Sequence, residues 1–238
     1  MDIKTINSQY LQIKYKYLEQ QIQDKEIIEK ALIFFNKYYN LIEHPFTLKD
    51  INKLSNVDFS IKLDFLHWKS INPITENEVN KFYRDTPFEF FKNLFKNMDI
   101  MHYEKIISEA ILPILKNEKY KTVLDYGGGS GYQSILLHKL GYEVTFAEIN
   151  KISIEWMKYV TKELNFNIKV IDLNKEKIVD NYDLIILKDV IEHLVNPNPT
   201  FDLLRNKTKD LLIIPDKIEK EEDYLPMHFL YNIKNGKL

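Results

Sequence analysis

Two clusters of residues have the types and spacing that chemistry needs. The first is residues 123–133, VLDYGGGSGYQ, where Gly127, Gly128, Gly129 and Gly131 gather four of the chain's six glycines. Glycines at a strand-to-helix junction let backbone N–H groups approach a ligand with no Cβ in the way, and the helix N-terminus behind them attracts negative groups. Glu148 ends the next apolar run, 19 residues after Gly129. A carboxylate there can accept both hydroxyls of an adenosine ribose. The second cluster is Asp189, Glu192 and His193, with His228 further on. His193 is a candidate general base, because an unperturbed imidazole titrates near ~6.5; Glu192 and His228 are candidates to assist it. At i, i+3 and i+4, Asp189, Glu192 and His193 would share one face of a helix. With His228 folded back over them, two carboxylates and two imidazoles could hold a divalent metal.

Two nucleotide cofactors suit a glycine loop of this kind. The dinucleotide fingerprint G-x-G-x-x-G, counted from Gly127 and Gly129, would place its third glycine at Tyr132, which is too large for close helix packing. The loop reads D-x-G-x-G-x-G instead. Asp125, just before the glycines, would repel a pyrophosphate and suits a ligand carrying a positive amino group and a sulfonium. Electrostatics therefore favour S-adenosylmethionine (SAM) over a nicotinamide dinucleotide.

These residues need elements to hold them, and the chain of 238 residues is long enough for one domain and a cap. Up to about residue 118 the pattern is helical. Leu11, Tyr15, Leu18 and Ile22, then Ile27, Ala31, Phe34 and Phe35, recur at helical steps. Thr47 suits the N-cap of a short helix to Leu54, and Thr86-Pro87 the start of another. A further helix is expected from His102 to Lys116, kinked or restarted at Pro113. Residues 59–74 have no clear assignment. From Lys121 apolar strands alternate with helical stretches: KTVLDY, EVTFAEI, IKVIDL, YDLIILK and DLLIIPD are the strands. Such alternation implies a parallel sheet covered on both faces, with ligands at the carboxyl ends of the strands.

The quoted motifs, VLDYGGGSG, FAEIN, Asp172-Leu173 and YDLIILKDVIEHLVNP, resemble in order and spacing those of class I SAM-dependent methyltransferases, over residues 100 to 230. The resemblance implies an α/β Rossmann-like sheet of order 3-2-1-4-5. A SAM-binding domain would span residues 119–238, and a helical cap or substrate lid residues 1–118. Gly127, Gly128 and Gly129 would border the methionine part, Glu148 would hold the ribose, and Asp172 would bond the adenine amino group. Leu173 and Ile149 would pack on the ring, and Lys188 and Asp189 would lie near the methionine end. Tyr83 and Arg84 are the candidates from the cap for the methionine carboxylate. Glu-His pairs after the fourth strand are frequent in this superfamily, often in a positioning role. Small-RNA 2′-O-methyltransferases have a similar acid-and-imidazole set, with Glu at the place of Asp189. The family usually continues after its fifth strand with a helix and a strand pair, for which little chain remains here. The cap or a second copy of the chain could cover the exposed sheet edge.

The expected function is methylation of a polar small molecule such as a sugar or nucleotide-linked sugar, on oxygen. The alternatives are N-methylation, an RNA or protein substrate, and a catalytically silent SAM-binding subunit. With 33 Lys and Arg against 35 Asp and Glu, and arginine only at Arg84 and Arg205, a nucleic-acid partner is not expected. The absence of cysteine excludes disulfides, thiolate metal sites and a Cys nucleophile. No apolar run approaches the ~20 residues of a membrane span and the first residues are polar, so a cytoplasmic protein is expected.

Overall fold

The computed structural model describes residues 26–38, 47, 66–86, 90, 111, 114 and 119–214. Five strands form one sheet of order β3-β2-β1-β4-β5. They are β1 (Thr122–Tyr126), β2 (Glu143–Glu148), β3 (Ile168–Asp172), β4 (Tyr182–Lys188) and β5 (Thr208–Ile214). Every neighbouring pair is parallel. This is the order implied by the resemblance. Val123, Leu124, Phe146, Ala147, Leu184, Ile185 and Ile186 are all buried, so the central strands carry the near-continuous apolar runs of a sheet covered on both faces.

Six helices are described: α1 (26–38), α2 (66–71), α3 (Glu76–Asp85), α4 (Tyr132–Lys139), α5 (Lys151–Glu163) and α6 (Asn198–Arg205). Helix α5 carries the fully buried Trp156, which packs edge-on against Phe34 of α1 with ring centroids 5.7 Å apart. Lys30 of α1 pairs with Glu163 of α5 at 3.0 Å. The indole N–H of Trp156 donates to Ser130 O at 3.0 Å, so the core helix also supports the glycine loop from behind. At the opposite end of the sheet, Asp183 Oδ2 accepts the backbone N–H groups of Lys121 and Thr122, tying β4 to β1. The Lys209 ammonium and those two N–H groups hold the Asp183 carboxyl well below the usual carboxylate range.

Helix α3 begins with a capping box. The Thr75 hydroxyl accepts from the Glu78 N–H, and the Glu78 carboxylate accepts from the Thr75 N–H. Its buried face, Val79 and Phe82, packs with Trp68 of α2. Thr86 closes this helix, its N–H donating to Phe82 O; of the helix expected to start from it, Phe90 is described, as helical and buried. Of the helix from Thr47 to Leu54 only Thr47 is described, and the pattern from Leu11 to Ile22 lies outside the described residues. Of the expected helix His102–Lys116, Ile111 and Ile114 are described and both are buried. Everything after Ile214, including His228 and any element that completes the sheet, is outside the described residues. No helix among the described residues is long and apolar enough to cross a membrane.

Candidate active site

The carboxyl ends of β1, β2 and β4 and the C-terminal half of α3 surround one pocket. Its lining includes Tyr83, Tyr126, Gly127, Gly129, Glu148, Ile149, Asn150, Leu173, Asp189 and His193. Eight of the fourteen described sequence candidates therefore meet there: Tyr83, Gly127, Gly129, Glu148, Ile149, Leu173, Asp189 and His193.

Glu148 is set by three backbone donors. Its Oε2 accepts from Gly129 N–H at 2.8 Å, and its Oε1 from Ile149 N–H at 2.7 Å and Asn150 N–H at 3.0 Å. The carboxylate thus stands pre-oriented between the glycine loop and the start of α5. Gly127 N–H donates to Ala147 O at 2.8 Å, which fastens the loop to the neighbouring strand. Gly128 lies outside the lining, with the Phe146 ring behind it.

Asp125 does not face the pocket. It is buried beneath the loop, where Ser134 Oγ donates to it at 2.7 Å and Gln133 Nε2 at 3.1 Å. Burial pushes its carboxyl up to about 6, against the lowering effect of the Ser134 hydrogen bond. The carboxylates that do face the pocket are Glu148 and Asp189. Among the described residues that line the pocket, those two carboxylates are the fixed charges, and none is a lysine or arginine.

Lys188 is almost buried and forms an ion pair with Asp189 from outside the lining. Asp189 has a left-handed backbone, φ 51°, which Asp tolerates better than most residues. That kink ends β4, and a single 3₁₀ turn follows at Ile191–His193 instead of the expected α-helical face. The turn separates the cluster: Glu192 is buried outside the lining, while Asp189 and His193 face the pocket. Asn196 precedes Pro197, which disfavours continuing a helix there. Among the described residues, no group of three His, Asp or Glu is placed to hold a metal ion.

His193 meets the cap at Tyr83. Its Nδ1 is 2.9 Å from Tyr83 Oη, and the two ring centroids are 4.8 Å apart. Arg84, one step further along α3, pairs with the Asp85 carboxylate instead of entering the pocket. Asp172 is held beside the pocket by Asn174 and Lys175. Burial would raise its carboxyl, but these partners outweigh it and leave the group below its ordinary value. Leu173 and Ile149 form an apolar wall next to it.

Several lining residues escaped the sequence reading, among them Asn80, Tyr126, Asn150, Ser153 and Val190. Asn150 had a legible signal, since it stands as an N-cap directly before the periodic stretch of α5. Asn80 belongs to α3, whose capping box at Thr75 and Glu78 was equally legible.

The arrangement fits an adenosyl sulfonium ligand: a fixed carboxylate for a diol, an apolar wall for a ring, and acidic lining for a positive centre. Residues 100–214, just under half of the chain, match the family model described as "Methyltransferase domain".

This segment is similar to a methyltransferase domain.

Its sheet order is the one that the resemblance to class I, Rossmann-like, SAM-dependent methyltransferases implies. Among curated proteins, the domain is similar to the "Probable S-adenosyl-L-methionine-dependent methyltransferase TehB" of Haemophilus influenzae. They are 34% identical over 92 residues, covering 38% of this chain and 30% of that protein. It is also 30% identical over 105 residues to "Ribosomal RNA small subunit methyltransferase G" of Borrelia recurrentis, covering 42% of this chain and 50% of that one. The chain thus spans half or less of these relatives' length. Among solved structures, TehB of Haemophilus influenzae aligns with 25% identity and a TM-score of 0.37, covering 47% of this chain and 43% of the other. A Pyrococcus horikoshii protein aligns with 24% identity and a TM-score of 0.40, covering 49% and 57%.

Proposed function

We propose that the chain is a SAM-dependent methyltransferase acting on a polar small molecule, with an oxygen as the methyl acceptor and His193 as the general base. The observation that carries this reading is the pocket's lining: Glu148 and Asp189 as its fixed charges, and the Tyr83–His193 pair beside them. Such a lining attracts a sulfonium and disfavours a phosphate chain.

SAM, when bound, supplies the methyl group and a neutral thioether leaving group. The chain's own residues do the rest. Glu148 accepts the ribose hydroxyls, and Leu173 and Ile149 pack on the adenine. Asp172 lies behind that wall, where exchange of its contact with Asn174 or Lys175 would free it for the adenine amino group. Gly127, Gly128 and Gly129 border the methionine part, with Asp189 and its partner Lys188 at the end of β4. Tyr83 takes the place at the methionine end for which Arg84 was the other candidate.

His193 takes the acceptor's proton at Nε2 as the methyl–sulfur bond breaks and the methyl–oxygen bond forms. For Nε2 to carry the lone pair, Nδ1 must carry the hydrogen, and Tyr83 Oη is then its acceptor. A positioned base of this kind contributes roughly 10²–10⁴-fold. Residues 1–118 act as the lid that brings α3 and Tyr83 over the SAM-binding part, residues 119–238. A compact acceptor suits a pocket roofed in this way, and the formal charge of −2 argues against a polyanion.

Transfer of a radiolabelled methyl group to a panel of sugars, nucleotide-linked sugars and other hydroxylated metabolites tests the reading. Label in a small, alkali-stable acceptor is expected. Label in an RNase-sensitive fraction would replace the small-molecule reading with the RNA one suggested by the ribosomal relative. Label on nitrogen would remove the need for His193 as an oxygen base. SAM binding with no transfer to any pool would make the chain a silent subunit.

A further inference from the structure

Tyr83 is held at both ends. Its hydroxyl meets His193, and its carbonyl is held by Asn150, a residue with no part in the reading above. Asn150 Nδ2 donates to Tyr83 O at 2.7 Å and to Thr86 O at 3.0 Å. These are carbonyls at the C-terminal end of α3, where the helix leaves acceptors unsatisfied. The Oδ1 of the same side chain accepts from Ser153 N–H at 3.2 Å and Ser153 Oγ at 3.3 Å, capping the N-terminus of α5. The Asn150 backbone N–H donates to Glu148 Oε1 at 3.0 Å.

One amide, only 7% exposed, thus closes two helices that meet end to end beside the pocket. The chemistry selects Asn. The α5 terminus needs an acceptor and the α3 terminus needs donors, and a carboxamide is the small side chain that has both. Aspartate would turn an oxygen toward two carbonyls, and serine would lack the two-donor arm.

We propose that Asn150 is a positioning residue that couples Glu148 to the Tyr83–His193 pair, so that occupation of the ribose carboxylate and placement of the base are linked. The coupling rests on the methyltransferase reading of the pocket. A ligand that engages Glu148 acts on the carboxylate that fixes Asn150, and Asn150 fixes the last turn of α3. That turn sets where Tyr83 Oη stands against His193. The base would then be fully in place only in the loaded enzyme.

Asn150→Ser separates the two tasks. Serine ranks with asparagine as an N-cap, so α5 keeps its closure. The donors to Tyr83 O and Thr86 O are lost. Hydrogen exchange is followed by mass spectrometry over residues 76–86 and 151–163 of the full chain, with and without S-adenosylhomocysteine. The imidazole NMR signals of His193 are recorded alongside, with Tyr83→Phe as the reference for a ring that lacks the Tyr83 hydroxyl.

In Asn150→Ser the α3 amides should exchange at least roughly tenfold faster, within the worth of the two hydrogen bonds lost. Helix α5 should match the wild type, S-adenosylhomocysteine should no longer slow α3, and the His193 signals should move toward those of Tyr83→Phe. Equal loss of protection in α3 and α5 would make Asn150 a fold residue only and overturn the proposal, as would unchanged α3 exchange. Binding of S-adenosylhomocysteine to the wild type that leaves α3 unchanged would overturn the coupling while the functional reading stands. No binding at all would overturn both.

Discussion

Tyr83 Oη lies 2.9 Å from His193 Nδ1, although 110 residues separate the two in sequence. The contact joins a helix of the N-terminal region to the turn after β4. It orients the imidazole from one side; under the proposed function the ring's second nitrogen is the proton-transfer atom. His193→Ala should therefore lower kcat by about 10²-fold or more with little change in S-adenosylhomocysteine affinity. Tyr83→Phe should cost roughly fivefold, the worth of one hydrogen bond. Single-turnover methyl transfer alongside calorimetric binding checks both, and a His193→Ala enzyme with wild-type kcat would remove the base from the account.

Asp125 should give the fold a characteristic pH dependence. Burial raises its folded-state value to about 6 from 3.8, so the folded chain holds a proton there that the unfolded chain releases. The stabilisation is complete below the unfolded value and is lost as pH rises through about 6. Asp125→Asn has no such titration. Its stability relative to wild type should rise between about pH 4.5 and about pH 7.5, by about 2 kcal/mol at ~1.4 kcal/mol per unit over the ~1.5 units from pH 4.5 to the folded-state value. Urea unfolding at the two pH values measures the difference, and a difference independent of pH would contradict the buried-carboxyl assignment.

Two glycines outside the cofactor contacts separate backbone strain from steric fit. Gly131 has φ 72°, and a Cβ on it would come within 1.9 Å of Met157 Sδ; Gly141 has φ 96° with nothing within 4 Å. Gly141→Ala should cost about 1 kcal/mol from the left-handed backbone alone. Gly131→Ala adds a core clash and should cost about 2–4 kcal/mol in all. Thermal unfolding of the two variants tests the ordering, and equal losses would show that the loop moves freely away from α5.

Arg84 pairs with Asp85 at the protein surface, where such contacts contribute about 0–1 kcal/mol. Arg84→Ala should leave S-adenosylhomocysteine affinity within roughly twofold and stability within about 1 kcal/mol. A loss of tenfold or more in affinity would restore Arg84 as the partner of the methionine carboxylate.

The sheet was legible because its chemistry is local. Each strand is an apolar run, and the glycine loop and Glu148 stand at strand ends that the alternation itself marks. The residues behind the loop were not. Asp125 looked like a pocket residue by position, but strand alternation and the partners Ser134 and Gln133 of α4 place it in the core. DVIEHL reads as helix by spacing, yet the left-handed Asp189 and the approach to Pro197 leave room for one 3₁₀ turn. Arg84 attracted attention as a rare guanidinium, while position on α3 decided that Tyr83 faces the pocket. Asn150 acts through backbone carbonyls far away in sequence, which no spacing rule encodes.

On the proposed function, the Glu148 pocket holds an adenosyl sulfonium cofactor. Isothermal calorimetry of the full chain with S-adenosylhomocysteine, repeated on Glu148→Ala, tests it most directly. Saturable one-to-one binding to the wild type is expected, weakened at least about tenfold in the variant by loss of charge-assisted hydrogen bonds to the ribose. No binding to the wild type, or equal affinity in the variant, would contradict it.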